Sequence, residues 1–415
     1  MSLNSVFEGA RSAARSLSLI TSEKVSGLLN ELADELVANQ EFIIRENEKD
    51  LNRMSVDDPK YDRLKLSASR LQDIASDLRS VSGLDSPVGG VLSEKELPNG
   101  LQLRKVRVPL GVVGVIYEAR PNVTVDVFSL CFKTGNVAVL KGGSDASFSN
   151  EALISIIHRV LEANAIDKNV VVLLPPDRSA TEALLNAVDY VDVIIPRGSQ
   201  HLITYVRDNA KVPVIETGAG IVHTFVDASA DLDKSRAIIL NAKTRRVSVC
   251  NSLDCLLVHK QTIKNLVFLV EELRNSDVVI YADQEAFKEL KGHYPDHLLL
   301  PAKDEHFGIE FLDYKLAIKT VENLSEALDH IARYSSKHSE AILSEDDVNI
   351  DAFLTQVDAA AVYSNASTGF TDGAQFGLGA EIGISTQKLH ARGPMGLEEL
   401  TSYKWIVRGN GQVRA

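Results

Sequence analysis

Val112-Val-Gly-Val-Ile-Tyr117 is a run of apolar and small residues without a polar break, and a similar run, Asn136-Val-Ala-Val-Leu140, follows further along the chain. Short runs that are apolar at nearly every position are typical of strands buried on both faces, as in parallel sheets covered by helices. The two runs therefore predict the centre of a parallel α/β sheet.

Strands and helices alternate on the C-terminal side of this centre. In the first half of the chain the other strand candidates are 170–174, 191–195 and 212–215, and the predicted helices cover 147–163, 179–187 and 201–210. After Asp227 a second series of strand candidates covers 256–259, 278–281, 316–321 and 360–363. This alternation predicts helical crossovers. We therefore expect two doubly wound α/β domains with a site at their junction.

Three segments lie outside the alternation. Residues 2–53 have the 3.6-residue periodicity of amphipathic helices. Residues 101–108 alternate with period two and follow Pro98-Asn-Gly100, which predicts a β-hairpin. Tyr403–Val407 reads as one further strand near the C-terminus.

Composition narrows the class of protein. The chain has 415 residues, enough for two or three domains, and a net charge of −13, which disfavours nucleic-acid binding. We expect no membrane segment, because no apolar run approaches the roughly 18 residues that span a bilayer. Three cysteines do not make a disulfide framework, and the N-terminus does not resemble a signal peptide. These features favour an intracellular enzyme.

Cys250 is the candidate nucleophile among the three cysteines. Lys243, Arg245 and Arg246 precede it closely, and nearby positive charge lowers the pKa of a thiol and favours the reactive thiolate. The alternative is an inert core cysteine, which is what the apolar surroundings of Cys131 and Cys255 predict for those two residues.

Two turns could bind phosphate. Lys141-Gly-Gly-Ser-Asp145 and Pro196-Arg-Gly-Ser-Gln200 each end a predicted strand and enter a helix, where backbone N–H groups and the helix dipole attract anions. Either could also be an ordinary connection. Glu216 follows the 212–215 strand candidate and could be a general base or a turn cap. The histidines lack metal-ligand spacing, so we predict no metal.

Five longer runs point to one family. They are Pro109–Asp126, Val212–Gly220, Asn241–Thr244, Ala327–Ile342 and Gly379–Thr401. Together they resemble the gamma-glutamyl phosphate reductases, within the aldehyde dehydrogenase fold. The resemblance implies a cofactor-binding domain (1–87 and 109–226), a catalytic domain (227–395) and a small β oligomerisation arm with the tail (88–108 and 396–415).

The resemblance also implies roles for particular residues. Cys250 would be the nucleophile and Glu216 would correspond to the base of hydrolytic aldehyde dehydrogenases. The NADP(H) contacts would be the adenosine-ribose turn at Lys141, Gly142 and Ser144, the pyrophosphate turn at Gly198 and Ser199, and Glu310 at the nicotinamide ribose. Ser144 stands where NAD-selective enzymes carry an acidic residue, which favours NADPH, and we expect Asp145 to cap the following helix.

The sequence departs from the family at four places. Ser199 replaces a glycine, Arg245-Arg-Val247 replaces Gln-Arg-Pro, and Asp254-Cys255 replaces Glu-Thr. Gly369 stands where the family commonly has an arginine. The last change removes a cation that would hold substrate, and Arg245 is a possible replacement.

The implied reaction is the NADPH-dependent reduction of L-glutamyl 5-phosphate to L-glutamate 5-semialdehyde, the second step of proline biosynthesis. Oxyanion donors would be the Cys250 N–H with Asn122 or Asn251, and substrate anchors would be Arg120, Lys243 and Arg245. We expect a cytoplasmic homo-oligomer with possible functional coupling to glutamate 5-kinase. The alternatives are a Cys–His hydrolase or acyltransferase, using His223 or His338, and a non-catalytic binding protein.

Overall fold

The structure is a computed structural model that describes residues 2–58 and 60–414. The described helices are α1 (Leu3–Leu17), α2 (Ser22–Ala38), α3 (Gln40–Leu51), α4 (Tyr61–Leu64), α5 (Ala68–Gly83), α6 (Asn122–Lys133), α7 (Ser147–Ala163), α8 (Arg178–Leu185), α9 (Gln200–Asn209), α10 (Leu232–Thr244), α11 (Leu266–Val270), α12 (Gln284–Leu290), α13 (Leu324–Tyr334) and α14 (Asp347–Gln356). The described strands are β1 (Val91–Glu96), β2 (Gln102–Pro109), β3 (Val112–Tyr117), β4 (Val137–Gly142), β5 (Val171–Leu173), β6 (Val193–Arg197), β7 (Val222–Val226), β8 (Leu253–His259), β9 (Val279–Ala282), β10 (Leu299–Pro301), β11 (Lys315–Val321), β12 (Ser339–Leu343), β13 (Ala361–Ser364), β14 (Ile384–Ser385), β15 (Gly393–Pro394) and β16 (Thr401–Arg408).

The chain divides into two compact units. The first comprises the residues up to Thr217, Gly377–Gly383 and the C-terminal segment from Met395, and the second comprises Gly218–Phe376 and Ile384–Pro394. None of the described helices is both long enough and apolar enough to cross a membrane.

The first unit contains a four-stranded parallel sheet in the order β5-β4-β3-β6. Every residue of β3 and β4 is buried, as their unbroken apolar sequences predict. Tyr117 pairs with both Gly142 and Arg197 in the strand register. The ends of three strands therefore lie side by side, and the turns after them share one carboxyl edge.

A three-stranded antiparallel sheet in the order β1-β2-β16 also belongs to the first unit. The predicted hairpin is formed by β1 and β2, and the predicted tail strand is β16, which pairs along the full length of β2. Tyr403, Trp405 and Val407 alternate along β16 and are each more than half exposed. This sheet therefore presents an apolar face to its surroundings.

The second unit is built on a seven-stranded parallel sheet in the order β10-β9-β11-β8-β7-β12-β13. Alternate residues of β8 enter different hydrophobic clusters, with Leu256 and Val258 in one and Cys255 and Leu257 in the other. Because successive side chains of a strand point to opposite faces, both faces of this sheet are covered. This is the doubly wound arrangement predicted from the sequence.

The sequence interpretation missed strands β7 and β12, and it is wrong about one strand and one domain boundary. The segment 212–215 is not a strand but makes a single bridge between Val214 and Ile194, because Pro213 has no N–H to continue a ladder. The boundary between the units lies at Thr217 rather than residue 226, because β7 pairs with β8 and β12 in the second unit.

Candidate active site

Cys250 lies in the connection between α10 and β8 and is partly exposed. Cys131 and Cys255 are fully buried in the described structure, and burial raises the pKa of both thiols, that of Cys131 to about 12. A thiol that cannot ionise is a poor nucleophile. The two core assignments made from the sequence therefore agree with the burial of these residues.

Gly220 fixes the backbone of Cys250. A Cβ atom added to Gly220 would lie 1.5 Å from the carbonyl oxygen of Cys250. The N–H of the same glycine donates a hydrogen bond of 2.8 Å to Oε1 of Glu310, whose pKa is raised by burial. One short stretch of backbone therefore contacts the candidate nucleophile and the glutamate predicted to hold the nicotinamide ribose. The sequence interpretation gave Gly220 no role, although it lies within a run that carries the resemblance.

Asn251, the residue after Cys250, is hydrogen-bonded to the loop that contains Thr368 and Thr371. The side-chain amide of Asn251 donates a hydrogen bond of 2.9 Å to the carbonyl oxygen of Thr371, and the hydroxyl of Thr368 donates one of 3.0 Å to the Asn251 carbonyl. The amide of Asn251 also lies 3.4 Å from the Gly369 carbonyl, so two backbone carbonyls engage it, and we favour Asn122 as the asparagine candidate for an oxyanion donor. Asn122 begins α6, and its amide donates a hydrogen bond of 2.9 Å to Asp126.

Arg245 lies against Gly369. A Cβ atom added to Gly369 would be 3.2 Å from Nε of Arg245, at the end of α10. The guanidinium of Arg245 therefore lies close to the place from which the family's usual arginine side chain would start. This proximity agrees with an exchange of the cation between positions 369 and 245.

Lys243 does not fit the substrate-binding role predicted for it. Its side chain is fully buried, and its ammonium donates a hydrogen bond of 2.9 Å to the Leu253 carbonyl and lies 3.9 Å from Asp254. Burial lowers the pKa of Lys243 and raises that of Asp254. Lys243 thus belongs to an internal pair that supports the start of β8. Arg120, by contrast, is exposed just before α6.

The turn after β4 borders a cavity of about 280 Å³, lined by Gly142, Gly143, Ser147, Asn150, Glu151 and Leu173–Pro176. A Cβ atom on Gly142 would lie 2.3 Å from the amide nitrogen of Asn150, so glycine is required there. The Lys141 ammonium donates to the carbonyls of Gly142 and Pro176, at 3.0 and 3.2 Å, and burial lowers its pKa. The cavity lies at the carboxyl edge of the sheet, where folds of this kind bind dinucleotides.

Asp145 does not cap the helix that follows this turn. Ser144–Ala146 forms a short 3-10 helix, and the Asp145 carboxylate lies 3.8 Å from the Lys60 ammonium. The N-terminus of α7 is instead capped by Asp50, which accepts a hydrogen bond of 2.8 Å from the N–H of Ser149. The expectation of a cap was wrong because a residue distant in sequence fills that position.

A carboxylate, that of Glu118, lies at the second predicted phosphate turn, Pro196–Gln200. Glu118 accepts hydrogen bonds from the N–H of Ser199, at 2.8 Å, and from its hydroxyl, at 3.0 Å. A Cβ atom on Gly198 would lie 2.6 Å from Oε2 of Glu118. Glu118 therefore occupies an N–H that a diphosphate at this turn would use. An acidic residue directly after a predicted strand was the signal for it, and the sequence interpretation missed it.

Glu216 follows the single bridge at Val214 and lies 3.7 Å from the Arg207 guanidinium. The two histidines considered as partners of a catalytic cysteine are both fully buried and have other neighbours. His223 contacts Glu340 at 3.2 Å, and His338 is hydrogen-bonded to Ser339 at 2.8 Å. These contacts of His223 and His338 therefore give no support to a catalytic pair with Cys250.

Comparison with known proteins agrees with the sequence resemblance. Residues 1–279 match the sequence profile of the aldehyde dehydrogenase family. The chain is 58% identical to the gamma-glutamyl phosphate reductase of Bacteroides fragilis and 59% identical to that of Parabacteroides distasonis, over 100% of both chains in each case.

A solved structure gives the same result. The crystal structure of gamma-glutamyl phosphate reductase from Thermotoga maritima superposes with a TM-score of 0.96 at 42% identity, covering 100% of both chains. The fold, the full-length sequence identity and the family profile all lead to one conclusion: the chain belongs to the gamma-glutamyl phosphate reductases of the aldehyde dehydrogenase family.

Proposed function

We propose that this enzyme reduces L-glutamyl 5-phosphate to L-glutamate 5-semialdehyde and phosphate, the second step of proline biosynthesis, through a thioester on Cys250. The observation that carries the proposal is the partly exposed Cys250, whose backbone lies against Gly220, in a chain with full-length similarity to named reductases. No such support exists for Cys131 or Cys255, which are buried.

The covalent chemistry follows from the thiolate. Cys250 attacks the acyl carbon, the bond from that carbon to the phosphate oxygen breaks, and phosphate leaves. The nicotinamide cofactor, when bound, supplies the hydride that reduces the thioester. The product of hydride addition is the thiohemiacetal in its alkoxide form, which collapses to the aldehyde as the C–S bond breaks and returns the thiolate of Cys250.

Each of these two carbonyl steps places negative charge on an oxygen. Fixed N–H donors at that oxygen stabilise the charge, and one such donor contributes about 2.7–4 kcal/mol. We assign the backbone N–H of Cys250 and the amide of Asn122 to this role. Because hydride rather than water resolves the acyl group, Glu216 has a positioning or proton-handling role instead of activating water.

The doubly anionic substrate requires cations. Arg245, at the end of α10, is our principal anchor, because its guanidinium adjoins Gly369 and Cys250 follows it closely in the chain. Arg120 is the second, being an exposed cation directly before α6. Charge-assisted hydrogen bonds from guanidinium groups suit both carboxylate and phosphate.

Members of the family use a nicotinamide cofactor, and we assign NADP(H) to this chain. Lys141, Gly142 and Ser144 would hold the adenosine ribose beside the cavity, Gly198 and Ser199 the diphosphate, and Glu310 the second ribose. Ser144→Glu would set a carboxylate against the 2′-phosphate, so kcat/KM should fall much more for NADPH than for NADH. A parent that prefers NADH, or a variant with unchanged preference, would refute the ribose assignment.

One assay tests the reaction as a whole. In the reverse direction, glutamate 5-semialdehyde should reduce NADP⁺ only when phosphate is present. Cys250→Ala should abolish this reaction while cofactor binding persists, and Cys131→Ala should remain active. Turnover without nicotinamide would favour the hydrolase alternative, and cofactor binding without any turnover by the parent would favour the binding protein.

The cellular setting is part of the same proposal. We assign the enzyme to the cytoplasm and expect a homo-oligomer formed through the β1-β2-β16 sheet. Acyl phosphates hydrolyse readily, so coupling to glutamate 5-kinase, which forms the substrate, would protect the intermediate.

A further inference from the structure

Two histidines, a cysteine and a glutamate form a buried group on one face of the seven-stranded sheet. His223 on β7 pairs in register with Glu340 on β12 and with Cys255 on β8, so three adjacent strands place these side chains in a row. His330 reaches the row from α13. His223, Cys255 and Glu340 are fully buried, and His330 is 8% exposed.

The distances bring three potential ligand atoms together. The ring nitrogens of His223 and His330 and Sγ of Cys255 all lie within 4.8 Å of one another. Sγ of Cys255 is 3.7 Å from Nε2 of His330. A tetrahedral zinc shell has bonds of about 2.3 Å to sulfur and about 2.0–2.1 Å to nitrogen, so its ligand atoms are separated by roughly 3.3–3.7 Å. After a contraction of about 1.5 Å or less, these atoms would supply three of the four positions of the shell, and a water molecule would supply the fourth.

The remaining member of the group is placed to orient one ligand. Oε2 of Glu340 lies 3.2 Å from Nδ1 of His223. The other ring nitrogen, Nε2, is then the one that would bind a metal ion. Among the described residues, neither ring nitrogen of His223 has a hydrogen-bond partner of good geometry, although both are buried. Histidines that bind metals commonly contact a carboxylate through the second ring nitrogen.

We propose that His223, Cys255 and His330 form a site for one zinc ion, with Glu340 as the carboxylate that positions His223. Thiolate and imidazole ligands together favour zinc over magnesium or calcium. The divalent charge would stabilise the thiolate of Cys255 in its buried position. On binding, the Cys255 thiol forms the Zn–S bond and releases its proton to solvent.

Sequence spacing did not predict this site, because its ligands come from two strands and a helix. The proposal concerns structure, and it stands whether or not the proposed reaction is correct. Apolar residues, including Phe225, Leu257 and Phe307, pack with Cys255 in one cluster. An apolar shell limits the access of bulk solvent to a metal ion.

The test uses the full chain, stripped with a chelator and titrated with Co²⁺ as a spectroscopic probe. We expect one equivalent to produce the visible bands of tetrahedral cobalt and a near-ultraviolet thiolate-to-cobalt charge-transfer band. Cys255→Ser should lose the charge-transfer band, whereas Cys250→Ala and Cys131→Ala should keep it. Absence of both bands in the parent, or a band that disappears with Cys250, would overturn the proposal.

Two further variants separate metal binding from folding. Cys255→Thr replaces the thiol by a side chain of similar size, and zinc should raise the Tm of the parent but not of this variant. Circular dichroism and turnover should show that Cys255→Thr is folded. Glu340→Gln should weaken cobalt binding by roughly 10–100-fold. An equal rise in Tm for parent and Cys255→Thr would contradict the assignment.

Discussion

At the scale of single residues, we expect Arg245 to anchor the substrate. Arg245→Gln removes a charge-assisted interaction of about 1.5–3 kcal/mol, so KM for the acyl phosphate should rise roughly 10–150-fold. Adding Gly369→Arg should recover part of the loss, because a side chain at 369 starts 3.2 Å from Nε of the arginine it replaces. Steady-state kinetics of the single and double variants provide the measurement.

Arg246→Gln is the matched control for this exchange, because it removes an exposed cation next to Arg245. Its KM should stay near that of the parent. An Arg245→Gln enzyme with unchanged KM would show that position 245 does not contact the substrate.

The candidate site has no room for a side chain at position 220. In Gly220→Ala the new methyl group would meet the Cys250 carbonyl at 1.5 Å, so the backbone of the nucleophile must move. A misplacement of about 1 Å costs on the order of 100-fold in rate. We expect kcat to fall at least that far while cofactor binding persists, and full activity would show that the Cys250 backbone can move without loss.

The raised pKa of Asp126 predicts that the free energy of unfolding depends on pH. Burial, together with the charge of Asp77, raises the pKa of Asp126 to about 7 despite the Asn122 hydrogen bond and the Arg197 charge. Between about pH 4 and pH 7 the native state then binds more protons than the unfolded state. The contribution of Asp126 to the free energy of unfolding therefore falls as the pH rises. Asp126→Asn should therefore be more stable than the parent by about 1–3 kcal/mol near pH 8.

Urea unfolding of parent and variant at about pH 5 and about pH 8 measures this effect. The difference in unfolding free energy should be larger at the higher pH, because the charged carboxylate is the form that burial disfavours. A variant that is less stable than the parent at both values would contradict a raised pKa.

At the scale of elements, helix α2 contains a glycine that lowers its stability. Gly27 lies in its interior, and a Cβ atom there would have nothing within 4 Å. Gly27→Ala should raise the free energy of unfolding by about 0.5–1 kcal/mol, because alanine loses less backbone freedom on folding. Gly292→Ala is the control: its surroundings are equally open, but its φ of +82° should make alanine destabilising. Urea unfolding distinguishes the two directions.

Helices α7 and α9 show how tertiary contacts change the chemistry of an element. Each follows a turn suited to phosphate, yet Asp50 caps the first and Glu118 binds Ser199 before the second. The positive end of a helix dipole attracts carboxylates as well as phosphates. The same physical preference that predicted anion binding is therefore partly met within the protein.

At the scale of the whole molecule, the exposed apolar face of β16 predicts self-association. Trp405 is 54% exposed on this edge strand, with Tyr403 and Val407 on either side of it. Edge strands with apolar faces need a partner. Trp405→Glu, or deletion of residues 402–415, should lower the oligomer mass measured by light scattering. The deletion starts after Leu400, whose carbonyl accepts a hydrogen bond from Asn136. An unchanged mass would refute this interface.

The sequence alone determined the α/β class, the hairpin and the tail strand, because each depends on local patterning, and its motifs predicted Cys250 as the nucleophile. Runs such as Val112–Tyr117 carry their own burial signal. Strands β7 and β12 were missed because His223 and Glu340 interrupt their apolar pattern, although both residues are fully buried. Local periodicity cannot show that two polar side chains neutralise each other across a sheet.

Only the tertiary structure decided which residues meet. In the folded protein Lys243 points inward and lies close to Asp254, and Asp50 caps the N-terminus of α7. Arg245 lies next to Gly369. The tertiary structure also brought His223, Cys255 and His330 together from separate elements. These outcomes depend on strand register and helix packing between residues far apart in the chain, which is information that spacing along one sequence does not contain.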